Sequence, residues 1–98
     1  TYLRVKFAAN IPAESNVELY YKTPVIGSLV DINTIKWELL TPDSNIIKVE
    51  LGNEEFFDID YSKKDIPQFD TIVVKIVMKS TNTSAVPRLK DLRIIACA

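Results

Sequence analysis

Histidine is absent from this chain of 98 residues, and cysteine and glycine are scarce. Without histidine, the chain lacks the usual general base near neutral pH and cannot form a Ser-His-Asp or Cys-His arrangement. The single cysteine, Cys97, has no partner for a disulfide within the chain, so it does not indicate a redox compartment. Two glycines, Gly27 and Gly52, are too few for a glycine-rich phosphate loop. We therefore predict that the chain is not an enzyme and holds no cofactor.

Neither sign of charge dominates, and no long apolar run is present. Twelve basic and thirteen acidic residues give a formal net charge of -1. A phosphate-binding face or a membrane-surface patch needs a local excess of lysine and arginine, which this balance does not favour. No segment approaches the roughly 18 consecutive apolar residues of a membrane-spanning helix. We expect no nucleic-acid partner and no membrane partner.

Apolar residues recur mainly with a period of two, which is typical of half-buried strands. In the segment TYLRVKFAAN, Leu3, Val5 and Phe7 fall on one face. Similar runs follow at a spacing of about ten residues, and no stretch has the 3.6-residue period of a helix. The predicted strands are TYLRVKFAAN, VELYYK, TIKWELL, IIKVEL, EFFDIDY, TIVVKIVMKS and RLKDLRIIACA. This pattern predicts an all-β fold, an antiparallel β-sandwich of jelly-roll or immunoglobulin-like type with about seven to eight strands.

Residues 1–98 are predicted to form a single β-sandwich domain, and the strand-like sequence near both tips indicates a fragment of a larger chain. Residues 70–98 are expected to form the closing hairpin. The last strand is apolar on both faces, so we expect it to be central or covered. Trp37 shares a face with Ile35 and Leu39 in the TIKWELL run, so a core position is predicted for it.

Acidic residues cluster around the EFFDIDY run. They are Glu54, Glu55, Asp58, Asp60 and Asp65. Such a group has the chemistry of a calcium site or of a carboxylate pair for glycoside hydrolysis, and Asp58 and Asp60 share one strand face. The spacing lacks the Asp-x-Asp-x-Asp-Gly pattern of a calcium loop. A solvated strand face is therefore the favoured interpretation, and no metal ligand is assigned.

Two pairs of adjacent aromatic residues must each place one ring outward, because neighbouring side chains of a strand point to opposite faces. These pairs are Tyr20-Tyr21 and Phe56-Phe57. An outward ring on a sandwich either stacks on a sugar or contacts another protein. Tyr20 and Phe56 are thus the candidate interface or glycan contacts.

The segments IPAESNVELYYKTP, IKWELL and TIVVKIVMKSTNTSAVPRLKDLRIIA together resemble a β-sandwich module of tailed-bacteriophage virion proteins, of the T4-like baseplate wedge type. The resemblance covers nearly the whole chain and involves no catalytic motif. The residues that carry it are Val17, Leu19, Tyr20, Tyr21, Lys22, Trp37, Lys75, Met78, Ser80, Val86, Pro87, Arg88, Arg93 and Ile95.

The resemblance implies an architectural function, as one structural domain of a phage tail or baseplate protein. Its partners would be other virion proteins, and its location would be the virion, assembled in the host cytoplasm. The alternative is a carbohydrate-binding β-sandwich module that recognises a glycan on the host surface. The aromatic residues alone do not separate these two functions.

Overall fold

The computed structural model describes residues 2–23, 35–66, 71–82 and 84–97, and in these residues every regular element is a strand. There are six strands in the described ranges, fewer than the seven to eight predicted. They are β1 (Tyr2–Asn10), β2 (Ser15–Lys22), β3 (Glu38–Leu40), β4 (Phe57–Lys64), β5 (Val73–Ser80) and β6 (Arg88–Cys97). The all-β prediction is confirmed.

The strands form two antiparallel sheets of three strands each, an arrangement consistent with the β-sandwich class. One sheet has the order β4-β1-β6 and the other β3-β2-β5, so β1 and β2 are the central strands. The sheets meet where β3 ends beside β4. There, Pro42 bridges to Tyr61, and the Asp43 N–H donates to the Asp60 carbonyl at 2.8 Å.

The core lies between the two central strands and is built from the residues of one strand face. Leu3, Val5 and Phe7 of β1 are at most 1% exposed, as their period of two predicts. Burial of an aliphatic or phenylalanine side chain stabilises the fold by about 1.5–3 kcal/mol. The ring of Phe7 stacks on that of Tyr61 with centroids 5.7 Å apart. The other core residues are Ala9, Ile11, Val17, Leu19, Tyr21, Leu40, Ile59 and Ile66.

The predicted strand IIKVEL is not a strand in the structure. Val49 forms an isolated parallel bridge with Pro12, in which its N–H donates to the Ile11 carbonyl at 2.9 Å. Ile47 and Leu51 on either side are 53% and 62% exposed. The segment is therefore joined through Val49 alone to the residues that follow β1, and within the described residues no strand pairs along its length.

The prediction of a closing hairpin in residues 70–98 is wrong, because β5 and β6 belong to different sheets. The connection between them is held to the β1–β2 turn, where the Thr81 N–H donates to the Glu14 carbonyl at 3.1 Å. The expectation of a central or covered β6 is wrong as well. β6 pairs with β1 on one side and is an edge strand in the described structure.

Candidate interaction surface

Tyr20 lies on the outer face of the β3-β2-β5 sheet, below a lysine. It pairs across the sheet with Lys75 of β5 and with Leu39 of β3. The Lys75 ammonium lies 5.0 Å from the centroid of the Tyr20 ring and 4.4 Å from that of Trp37. The Lys22 ammonium lies 4.3 Å from the centroid of the Trp37 ring. Cation–π contacts of this kind contribute about 0.5–1 kcal/mol each at exposed sites. The rings of Tyr20 and Trp37 therefore already interact with lysine side chains of this chain.

A charged pair beside Tyr20 fixes the tyrosine hydroxyl. The Tyr20 hydroxyl donates to Glu18 Oε2 at 2.8 Å, and the other oxygen of Glu18 pairs with the Lys79 ammonium. The hydrogen bond from Lys79, followed by that from Tyr20, lowers the pKa of Glu18. The Glu18 carboxylate in turn raises the pKa of Tyr20 and of Lys79. This part of the face therefore carries a fixed carboxylate–ammonium pair at neutral pH.

Trp37 is not a core residue, which corrects the prediction. Leu39, on the same strand face, is 54% exposed, whereas the next residue, Leu40, is 4% exposed. The strand register explains the difference. Leu39 pairs with the outward Tyr20, and Leu40 pairs with the buried Leu19, so the core face of the TIKWELL run contains Leu40 and not Leu39. Trp37 accordingly lies partly exposed beside Lys75 on the outer surface.

Phe56 immediately precedes β4, a strand of the other sheet. The Lys90 ammonium is 4.3 Å from its ring centroid, and the Arg88 guanidinium is 6.0 Å away. Asn10 positions the preceding loop, because its side-chain amide donates to the carbonyls of Asn53 and Glu55 at 2.7 and 2.8 Å. Tyr20 thus belongs to one sheet and Phe56 adjoins the other, so the structure does not bring the two predicted contacts together.

The acidic cluster is dispersed. Asp58 and Asp60 share the outer face of the β4-β1-β6 sheet, as predicted, since they pair with Ala8 and Lys6. Asp60 Oδ1 lies 3.7 Å from Arg4 and 4.0 Å from Lys6, which neutralise it. Within the described ranges, no group of three or more cysteine or carboxylate side chains could hold a metal ion.

The feature that the sequence did not reveal is a set of exposed apolar residues on the core sides of the edge strands β5 and β6. Ile94 of β6 pairs with Val5, which is fully buried, yet Ile94 is 44% exposed. Met78 of β5 pairs with Val17, which is 3% exposed, yet Met78 is 53% exposed. Paired residues share a sheet face, so both side chains are on the core side of their sheets without being covered. We call these exposed core-side residues of the two edge strands the open flank; they are Met78, Leu92 and Ile94.

The open flank lies on the side opposite the junction between the sheets. β3 approaches β4 through the Pro42–Tyr61 bridge. Within each sheet, the strand of the open flank is the edge strand away from that junction, since β5 lies across β2 from β3 and β6 lies across β1 from β4. The signal in the sequence was the apolar character of both faces of RLKDLRIIACA.

Comparison with protein-family models, with curated proteins and with solved structures finds no match for this chain. The resemblance to phage baseplate modules thus remains a prediction. Among the described residues, no helix has the length and apolar character needed to cross a membrane.

Proposed function

We propose that this chain is a non-enzymatic structural domain of a phage tail or baseplate virion protein, which contributes to assembly through protein–protein contacts. The finer fold proposed with it is a β-sandwich of jelly-roll or immunoglobulin-like type. The observation that carries the proposal is the open flank, where core-side apolar residues of two different sheets are about half exposed.

Isolated exposed apolar residues are normal on a soluble protein, but a contiguous apolar surface marks a binding site. Met78 and Ile94 differ from isolated surface residues because their cross-strand partners belong to the core. Covering one such side chain yields about 25 cal/mol for each Å² of apolar surface removed from water. A permanent neighbour in an assembly would supply this cover, which favours an architectural function.

The resemblance of the strand segments to baseplate modules points to the same class of function, and the lack of histidine agrees with a non-catalytic domain. Tyr20, Trp37 and Phe56 each have a cation over the ring. This geometry suits a polar protein contact better than a sugar platform, because a lysine already occupies space that a sugar ring would need.

The test is to locate the chain in particles. Antibodies raised against the purified domain would be applied to tailed particles from cultures that express the gene, and labelling would be imaged by electron microscopy. We expect label at the tail or baseplate. Antigen that stays in the cell fraction, with unlabelled particles, would contradict the proposal.

The second candidate function is binding of a host surface glycan. Its specific support is that Tyr20 and Trp37, both partly exposed, lie under the same lysine on one outer face. A glycan array with the purified domain tests it, and the Trp37→Ala variant is the control. Signals that disappear in this variant would favour glycan binding over an architectural function.

A further inference from the structure

We propose that a cavity at the junction of the two sheets binds a small neutral molecule that consists of one ring bearing a single oxygen. The ring would lie against apolar walls, and the oxygen would accept a hydrogen bond from the buried hydroxyl of Tyr61. We call this space the junction cavity; its inner walls include Val17, Leu40, Pro42, Ile46 and Tyr61. The inference goes beyond the architectural function and does not depend on it.

The junction cavity lies where β3 leaves β2 and the chain approaches β4. β3 pairs with β2 as far as Leu40, which lies opposite Leu19, and Pro42 then bridges to Tyr61 of β4. The part of β2 that precedes Leu19 therefore has no β3 neighbour in the described structure. The cavity lies beside this part of β2, at Val17.

The size and the walls of the junction cavity suit one ring. Val17 and Leu40 are 3% and 4% exposed, and Ile46 packs against the core. Leu39 and Thr41, which are exposed, also line the cavity, so it is open to solvent. Its volume is about 240 Å³, whereas an apolar cavity of about 150 Å³ accommodates benzene. A ring with one substituent therefore fits.

The charges around the junction cavity favour a neutral ligand. Glu18 also lines it, but the Glu18 carboxylate already binds the Tyr20 hydroxyl and the Lys79 ammonium on the outer face. An anion would be repelled by this carboxylate, and a cation would find it already paired. The apolar walls would not replace the hydration of either ion. A neutral molecule is therefore the class of ligand that fits.

The Tyr61 hydroxyl supplies the polar contact. Of the described lining residues, only Tyr61 belongs to the β4-β1-β6 sheet. Tyr61 pairs with the fully buried Val5, so its side chain points towards the opposite sheet and its hydroxyl is the atom that extends farthest. This hydroxyl is buried and has no hydrogen-bond partner within the described residues. Burial raises the pKa of Tyr61 to about 12, so the hydroxyl keeps its proton at neutral pH and is a donor.

A ring with one oxygen satisfies both features of the junction cavity. A buried hydroxyl without a partner needs an acceptor for its hydrogen bond. Water would provide the acceptor but would leave the apolar walls in contact with solvent. Sites for small molecules combine an apolar lining with a small number of polar groups that fix the orientation of the ligand, and this cavity has that composition.

The test compares phenol with benzene, which differ by the oxygen alone. Each probe would be titrated into the full chain over the millimolar range, and binding would be followed by amide NMR. We expect shifts at Val17, Leu40 and Thr41, and tighter binding of phenol. In Tyr61→Phe, which keeps the ring and removes the donor, the ratio of the benzene Kd to the phenol Kd should fall by about tenfold.

A control and a second variant separate the hydroxyl from the cavity. Tyr21→Phe is the matched control, because Tyr21 is also buried but its hydroxyl donates to Glu38 and it does not line the cavity; the preference for phenol should stay unchanged. Ile46→Phe fills the cavity and should weaken the binding of both probes by about tenfold or more. The amide spectrum of each variant shows whether it is folded.

Three results would each overturn the proposal. Absence of shifts with both probes would show that water alone occupies the junction cavity. An unchanged preference for phenol in Tyr61→Phe would show that the hydroxyl does not contact the ligand. Shifts confined to Met78 and Ile94 would place the probes on the open flank instead. These results leave the labelling of tailed particles unaffected, so failure of this inference is distinguishable from failure of the architectural function.

Discussion

The hydroxyl of Tyr61 is buried without a hydrogen-bond partner in the described structure, and its removal should stabilise the protein. Tyr61 is 1% exposed, and its ring stacks on Phe7. A buried polar group that loses its water and finds no partner costs about 1–3 kcal/mol. The Tyr61→Phe substitution keeps the ring and removes the hydroxyl, so we expect the free energy of unfolding to rise by about 1 kcal/mol or more.

The matched control is Tyr21→Phe, for which the expected sign is opposite. Tyr21 is also buried, at 4% exposure, but its hydroxyl donates to Glu38 Oε2 at 2.6 Å. A hydrogen bond to a charged group contributes about 1.5–3 kcal/mol, so this variant should be destabilised. Urea denaturation gives both free energies. In thermal unfolding, 1 kcal/mol corresponds to a change in Tm of about 4–8 °C for a domain of this size.

A loss of stability in Tyr61→Phe comparable to that in Tyr21→Phe would refute this reasoning. It would mean that the Tyr61 hydroxyl has a partner, such as a buried water, whose hydrogen bond outweighs the cost of burial.

Three further predictions concern pH, the loop before β4 and a turn. Burial raises the pKa of Tyr61 to about 12, and burial together with the Glu38 hydrogen bond raises that of Tyr21 to about 12. Above about pH 10 the unfolded state loses these phenol protons while the folded state keeps them. The free energy of unfolding is therefore highest below that pH and should fall as the pH rises towards 12. The fall should be less steep in Tyr61→Phe, which has one such group fewer. Asn10→Ala removes two hydrogen bonds to the loop before β4 and should lower the free energy of unfolding, measured by urea denaturation, by about 1–3 kcal/mol. An unchanged free energy would show that other contacts position the loop. Gly52 has a φ of 91°, and a Cβ atom added there would contact no other atom. Gly52→Ala should therefore lower the free energy of unfolding by about 1 kcal/mol through backbone strain alone. An unchanged Tm in thermal unfolding would show that the turn adjusts.

The sequence allowed the all-β class and the core faces of β1 and β2 to be predicted, because strict alternation leaves one choice of buried face. Leu3, Val5 and Phe7 illustrate this, since each is flanked by polar or outward residues. In the TIKWELL run, the predicted buried face was the wrong one. Its apolar residues occupy both parities, as Leu39 and Leu40 are adjacent, and only pairing with Leu19 and Tyr20 decides which one is buried.

Sheet membership lies beyond what periodicity can determine. The β5 and β6 runs have the composition of a hairpin, but Met78 pairs with Val17 and Ile94 with Val5, both of which are distant in sequence. Pairing partners depend on which strands bury each other's faces across the whole chain, and alternation within one run does not encode that choice.

The same limit explains why the sequence predicts Tyr20 and Phe56 as outward residues but does not predict the open flank. An outward aromatic residue can be identified from its own strand, because adjacent side chains alternate. An uncovered residue on the core side, such as Met78 or Ile94, can be identified only after the opposing sheet is known to leave it exposed. Met78 and Ile94 lie on edge strands of different sheets, and in the described structure each of these strands has a neighbour on one side alone, which explains why core-side residues stay exposed there.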